Sequence, residues 1–174
     1  MRLIMTQNDQ QLGKSIHAIS VGDTFSVTES FKERDVLLYM GVTGDSNPAY
    51  LKQAQKREMD TVLPPIALMG VITRTVSMNF PGPGSRLVEM NMNVSKPIPH
   101  NSTISFDFEV IRVEELKQFI TIHVIGYHTN QPNSERVLDV MLTVLPPEEN
   151  LDDMTNKIDA GVFQRISGGE TLDY

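Results

Sequence analysis

Apolar and polar residues alternate through most of the chain after Ser85. SRLVEMNMNVSKPI sets Leu87, Glu89, Asn91 and Asn93 against Val88, Met90, Met92 and Val94, and TISFDFEVIRV, FITIHVIGYHTN and RVLDVMLTVLP repeat the alternation. A period of two sends successive side chains to opposite faces of a sheet, so these are four strands. The separating stretches PHNS, EELKQ and QPNSE are turn-forming, which predicts an antiparallel meander of consecutive strands. Upstream, VGDTFSVTES reads as a turn followed by a fifth strand with Phe25 and Val27 on one face.

Between Phe31 and Phe80 the period lengthens. In FKERDVLLYMGVTG, Val36, Leu37, Met40 and Val42 fall near helical spacing, with Gly41 or Gly44 as the stop. DSNPAYLKQAQKRE then carries a second helix start, with Asn47 as N-cap and Pro48 at the first helical position, where a missing N–H costs nothing. PPIALMGVITRTVSMNF predicts a third helix from about Pro65 to the PGPG turn at Pro81–Gly84, apolar almost all round as far as Val71. One strand, a helical block and four more strands are most simply satisfied by an α+β domain whose sheet wraps around the apolar helix.

The 174 residues fit one domain, divided as an N-terminal arm over 1–20, a domain over 21–147 and an acidic C-terminal tail over 148–174. No cysteine is present, which excludes disulfides, thiolate ligands and a cysteine nucleophile, and suits a cytoplasmic setting. The longest nearly unbroken apolar run, VLPPIALMGVI, is too short to span a bilayer, so no membrane association is expected. A net charge of −7 without a Lys/Arg cluster argues against nucleic acid, whose affinity depends on neutralising phosphates.

Chemistry concentrates in GDSNPAY, residues 44–50. Asp45, Asn47 and Pro48 have a sufficient structural role in an Asx-type turn and a helix cap. The four histidines, His17, His100, His123 and His128, are expected in turns or on the surface, His123 lying opposite Ile120, Ile122 and Val124 on its strand. No His pair has metal-ligand spacing, so no metal is expected. Met69, Met78, Met90 and Met92 read as core filler, and Arg74, Arg86 and Lys96 as surface charge. GxSxG, GxxxxGK and GxGxxG are absent.

The order VGDTF, YMGVTGDSNPAY, apolar helix, PGPG and then the KPI turn resembles the MaoC-like branch of the hot-dog fold, over about Val21 to Pro147. That family includes (R)-specific enoyl-CoA hydratases and 3-hydroxyacyl-thioester dehydratases. The resemblance implies a hot-dog fold, a homodimer or higher homo-oligomer, and an acyl or enoyl thioester as substrate. Coenzyme A would enter only as part of that substrate, with no other cofactor.

By the same resemblance Asp45, Asn47 and Tyr50 are the catalytic candidates. Asp45 and Asn47 match the family pattern, while Tyr50 stands where the family has a histidine. Asp and His there polarise the water that adds across the enoyl thioester. A phenol can hold a water or give a proton but accepts one poorly near neutrality, which leaves Asp45 as base. Loss of one acid–base partner typically removes on the order of 10²- to 10⁴-fold in rate.

Family members also open the buried helix with His-Gly, whose backbone N–H binds the thioester carbonyl; counting back from PGPG puts Pro64 and Pro65 on that pair. Proline has no N–H to offer, and such a donor is worth about 10²- to 10³-fold. Ile66 and Ala67 follow as the next helix-terminal amides, both expected to be unpaired and so able to serve as donors. Pro65, Ile66 and Ala67, with Gly82 and Gly84 of the turn that borders the family's acyl pocket, are the substrate-binding candidates. Three functions fit: a hydratase or dehydratase of reduced or altered activity, a non-catalytic acyl-CoA binding or sensing protein, and an acyl-CoA thioesterase.

Overall fold

A computed structural model describes residues 12–51, 61–129 and 135–148. The expected continuation of a helix after Leu51, nearly all of the QPNSE turn and the tail beyond Glu148 lie outside the described residues. The elements are β1 (Thr24–Ser30), α1 (Glu33–Thr43), α2 (Pro65–Met78), β2 (Arg86–Val94), β3 (Thr103–Glu114), β4 (Phe119–His128) and β5 (Glu135–Leu145). Five antiparallel strands form one sheet around α2, the α+β hot-dog arrangement that the sequence implies.

The strand order corrects the expected meander. It is β1-β3-β4-β5-β2, so β3, β4 and β5 are sequential neighbours but β2 lies at the far edge beside β5. The link from Val94 to Thr103 therefore spans three strand spacings, about 14 Å. Eight intervening residues reach about 26 Å when extended, so short length did not require β2 and β3 to be paired. Part of that link is used structurally: Ile98 is buried, its carbonyl accepts the Leu63 N–H at 2.7 Å, and Val62 bridges Pro99.

One face of the sheet and one side of α2 make the core. Ile104, Phe106, Phe108 and Val110 of β3, Ile120, Ile122 and Val124 of β4, and Val140, Leu142 and Val144 of β5 are buried against Leu68, Ile72 and Val76 of α2. Burial of each such side chain stabilises the fold by about 1.5 to 3 kcal/mol. At β2 a register shift between Leu87 and Glu89 changes the expected parity. Leu87 packs on the core with Met90, Met92 and Val94, while Val88 turns outward. A bulge moves every side chain before it to the other face.

The helices are less covered than their apolar patterns suggest. α2 is not buried on most faces: Ile66, Met69 and Met78 are exposed. α1 buries Val36 but exposes Leu37 and Val42, and it ends at Gly44, whose φ of 70° is left-handed. Residues 12–20 of the arm are anchored on the domain. Ile16 and Ile19 are buried, and the Gly13 and Lys14 N–H groups donate to Pro83 and Pro81 carbonyls at 2.8 Å each.

Candidate functional site

GDSNPAY folds as the local sequence dictates. Asp45 Oδ1 accepts the Asn47 N–H at 3.0 Å, and Asn47 Oδ1 accepts the Ala49 N–H at 3.0 Å, which caps a short 3-10 helix over Pro48–Tyr50. Both side chains are exposed, and each uses one oxygen to build the loop. Asp45 forms no ion pair among the described residues. The Ala49 carbonyl accepts the Val62 N–H at 3.1 Å, which ties the loop to the segment entering α2.

That tie brings Tyr50 beside the start of α2. Tyr50 and Pro65 line one pocket of about 220 Å³, walled by Leu63 and Leu68 on the approach to and first turns of α2, by Val94 at the end of β2, and by Ile98 of the following link. Its surface is mainly apolar, with the Tyr50 phenol as the polar group of a side chain that is otherwise hydrophobic. Asp45 and Asn47 do not line this pocket. The structure thus separates the loop-forming carboxylate and amide from the tyrosine that lines the cavity.

The two amides at the helix start also part company. Ala67 N–H already donates to the Pro64 carbonyl at 3.0 Å, contrary to the expectation that it is unpaired. Among the described residues Ile66 N–H has no such backbone acceptor, and Ile66 is exposed. Ile66 is therefore the donor of the pair that a carbonyl or water at the helix terminus can use.

Gly82 and Gly84 lie beyond the other end of α2, about 21 Å of helix away from Pro65. Both have positive φ, 105° and 91°. A Cβ at Gly82 would come 3.2 Å from the Gly13 backbone, and one at Gly84 would come 2.8 Å from the Pro147 side chain. Their neighbours here are the arm and the end of β5, not the pocket that holds Tyr50.

The histidines depart from expectation once. His128 is buried, with Nε2 2.9 Å from Ser102 Oγ, which in turn donates to the Pro99 carbonyl at 2.7 Å. Parity carried the signal: His128 shares the even-numbered core face of β4 with Ile122 and Val124. His123 faces away from the core and meets Asp139 Oδ1 at 3.0 Å, and His100 lies by the Val62 carbonyl at 3.2 Å. Leu63, Val94 and Ile98 were not singled out from the sequence as pocket walls, because each belongs to a different segment and only the crossover of β2 brings them together.

No protein-family model matches the chain. A curated (R)-specific enoyl-CoA hydratase from Rhodospirillum rubrum is 26% identical over 106 residues, which cover 59% of this chain and 74% of that protein. Among solved structures, an unliganded R-hydratase from Pseudomonas aeruginosa aligns with a TM-score of 0.71 at 21% identity, over 79% of this chain and 88% of that one. An (R)-hydratase from A. caviae involved in PHA biosynthesis aligns with a TM-score of 0.68 at 16% identity, over 75% and 98%. A MaoC-like dehydratase from Rhodospirillum rubrum aligns at 0.59 and 12% identity, over 79% and 100%. The resemblance to the MaoC-like group therefore holds in sequence and in the hot-dog fold. Among the described residues no helix is long and apolar enough to cross a membrane.

Proposed function

We propose that this chain is a MaoC-like acyl-thioester hydratase or dehydratase whose acyl or enoyl group enters the pocket between Tyr50 and the start of α2. The observation that carries the reading is the meeting of Tyr50, Pro65 and an apolar cavity at a helix N-terminus, in a chain similar to an (R)-specific enoyl-CoA hydratase. At about 220 Å³ the cavity lies below the usual size of small-molecule pockets, which favours a short acyl group. In this reading Tyr50, at the pocket wall, holds the water or donates its proton, while Ile66 N–H at the helix terminus and the second carboxylate oxygen of Asp45 on the loop, both outside the pocket lining, serve at its mouth as carbonyl donor and base. Hydration adds the water hydroxyl at the β-carbon and a proton at the α-carbon; dehydration reverses both.

A second reading, an acyl-thioester binding protein without catalysis, is favoured by one specific feature. Asp45 is exposed, outside the pocket lining, and already engaged with Asn47 N–H. Homodimerisation belongs to the same proposal, since β2 pairs only with β5 among the described strands and offers a nine-residue edge to a second copy. A cytoplasmic setting accompanies it, in keeping with a cysteine-free chain.

The test is loss of enoyl absorbance when the purified protein meets a short trans-2-enoyl-CoA, with free thiol measured on the same sample. Turnover without thiol release, lowered about 10²-fold or more by Asp45→Ala, is the expected result. Thiol release would assign a thioesterase instead. Acyl-CoA binding with no turnover of either kind would establish the binding reading.

A further inference from the structure

α2 has a second cavity on another side. The residues that face the candidate acyl pocket are Pro65 and Leu68, whereas Ala67, Gly70, Val71 and Arg74 line a cavity of about 470 Å³ shared with α1 and the end of β1. Spacings of three and four residues put those four positions on one stripe of the helix. The volume is that of an ordinary small-molecule site.

Its walls combine two chemistries. Phe31, Tyr39 and Val71 supply aromatic and aliphatic surface, and Gly70 makes room for the phenol: a Cβ on Gly70 would overlap the Tyr39 hydroxyl. That hydroxyl has no hydrogen-bond partner among the described residues, so it is a free donor at the cavity wall. Lys32, Arg34 and Arg74 add three cations against the carboxylates of Glu29 and Asp35. Both carboxylates are engaged, Glu29 by the Arg74 guanidinium and Asp35 by the Lys32 backbone N–H at 3.1 Å and by Arg34 Nε at 3.7 Å. Lys32 has no carboxylate partner for its ammonium among the described residues, in a chain whose net charge is −7. A local cationic excess on an acidic protein repels polyanions at a distance yet can hold one small anion at contact range.

We infer that the cavity between α1 and α2 is a ligand site for a small organic anion with a flat apolar body, a carboxylate on an aromatic or short aliphatic frame. The body lies against Phe31, Tyr39 and Val71; the carboxylate accepts the Tyr39 hydroxyl and faces Lys32 and Arg34. The inference does not rest on the thioester reading, because the residues are distinct from those of the acyl pocket.

Benzoate is the probe, titrated by calorimetry against the full chain, with inorganic phosphate as a second titrant that lacks the apolar body. Benzoate is expected to bind with a Kd of about 0.1 to 5 mM, the range for so few atoms, and phosphate at least about 10-fold more weakly. Tyr39→Phe, which keeps the ring in place, and Lys32→Ala, at an exposed position, should each weaken benzoate about 5- to 30-fold. Val94→Phe, which fills the acyl pocket, should leave benzoate binding unchanged. Absence of benzoate binding at 20-fold above the expected range, equal affinity for phosphate, insensitivity to both Tyr39→Phe and Lys32→Ala, or loss of binding in Val94→Phe would each overturn the assignment.

Discussion

The two ends of α2 are both marked by proline, Pro64–Pro65 at the start and the PGPG turn at the finish, and were both expected at the substrate, yet they are opposites. At the N-terminal end, Pro64 and Pro65 begin the helix without a side-chain cap, Ile66 N–H is left without a backbone acceptor, and Tyr50 stands across an open apolar cavity. At the C-terminal end, PGPG is closed over: Gly13 packs on it, Pro147 abuts Gly84, and Phe80 stacks on Phe25 with centroids 6.3 Å apart. Proline at a helix start leaves donors unused, whereas glycine in a turn admits close backbone contact. Two prolines therefore leave one end beside an open cavity, while the glycines between the prolines of PGPG let the other be sealed.

The largest way to sharpen this contrast is to restore the resembled pattern at the open end. Tyr50→His should raise trans-2-enoyl-CoA hydration about 10²-fold or more, and Pro65→Gly added to it should raise it further by supplying an N–H, the two effects together reaching roughly 10⁴-fold. Initial rates at saturating substrate check this. A fall in rate on Tyr50→His would mean that the phenol has its own role in the native reaction, and the degenerate-hydratase view would fail.

Breaking the closed end should act on stability instead. A Cβ at position 13 meets the Pro81 carbonyl and Gly82 backbone, neither of which can swing aside as a side chain tip could. Gly13→Ala should therefore cost about 1 to 3 kcal/mol, with Tm falling by about 3 to 10 °C. Hydration per folded molecule should not change. If it fell with Tm corrected for, PGPG would belong beside the substrate after all.

How much of this was legible depends on range. The alternation of β3, β4 and β5, the existence of α2 and the capping of Pro48–Tyr50 by Asn47 are consequences of neighbours in sequence, and each could be read directly; which side of α2 meets the core could not, because its first turns are apolar all round. The position of β2 could not, since an eight-residue link permits either edge. The bulge at Val88 was hidden because alternation looks the same on either side of an inserted residue. His128 was readable by parity but was grouped with the turn and surface histidines. At the site, Asp45 and Asn47 were legible both as loop builders and as candidates, and the structure shows the loop-building role. Tyr50 and Pro65 were legible singly, but that they share a pocket with Val94 and Ile98 depends on long-range pairing.

A core substitution separates the shared scaffold from both ends. Ile72 is fully buried midway along α2 on the side that meets the sheet. Ile72→Ala should cost about 2 to 5 kcal/mol through lost transfer and a residual cavity, measured by urea denaturation with an unchanged slope. A smaller cost than Gly13→Ala would indicate that α2 repacks readily and that its two ends are not held by a common rigid core.

The smallest predicted effect isolates the loop from the chemistry. Asn47 Oδ1 holds the Ala49 N–H, and Ala49 in turn holds Val62, so Asn47→Ala removes one hydrogen bond from a chain of two that positions Tyr50. The cap itself is worth about 1 kcal/mol. Asn47→Asp keeps an acceptor at the same place and should recover nearly all of that stability. If Asn47 acts only by capping, Asn47→Asp also restores acyl-CoA affinity, because Tyr50 returns to the pocket wall. Recovery of stability without recovery of affinity would show instead that the amide N–H₂ group, which Asp lacks, touches the ligand, and Asn47 would then move from the frame of the site into the site itself.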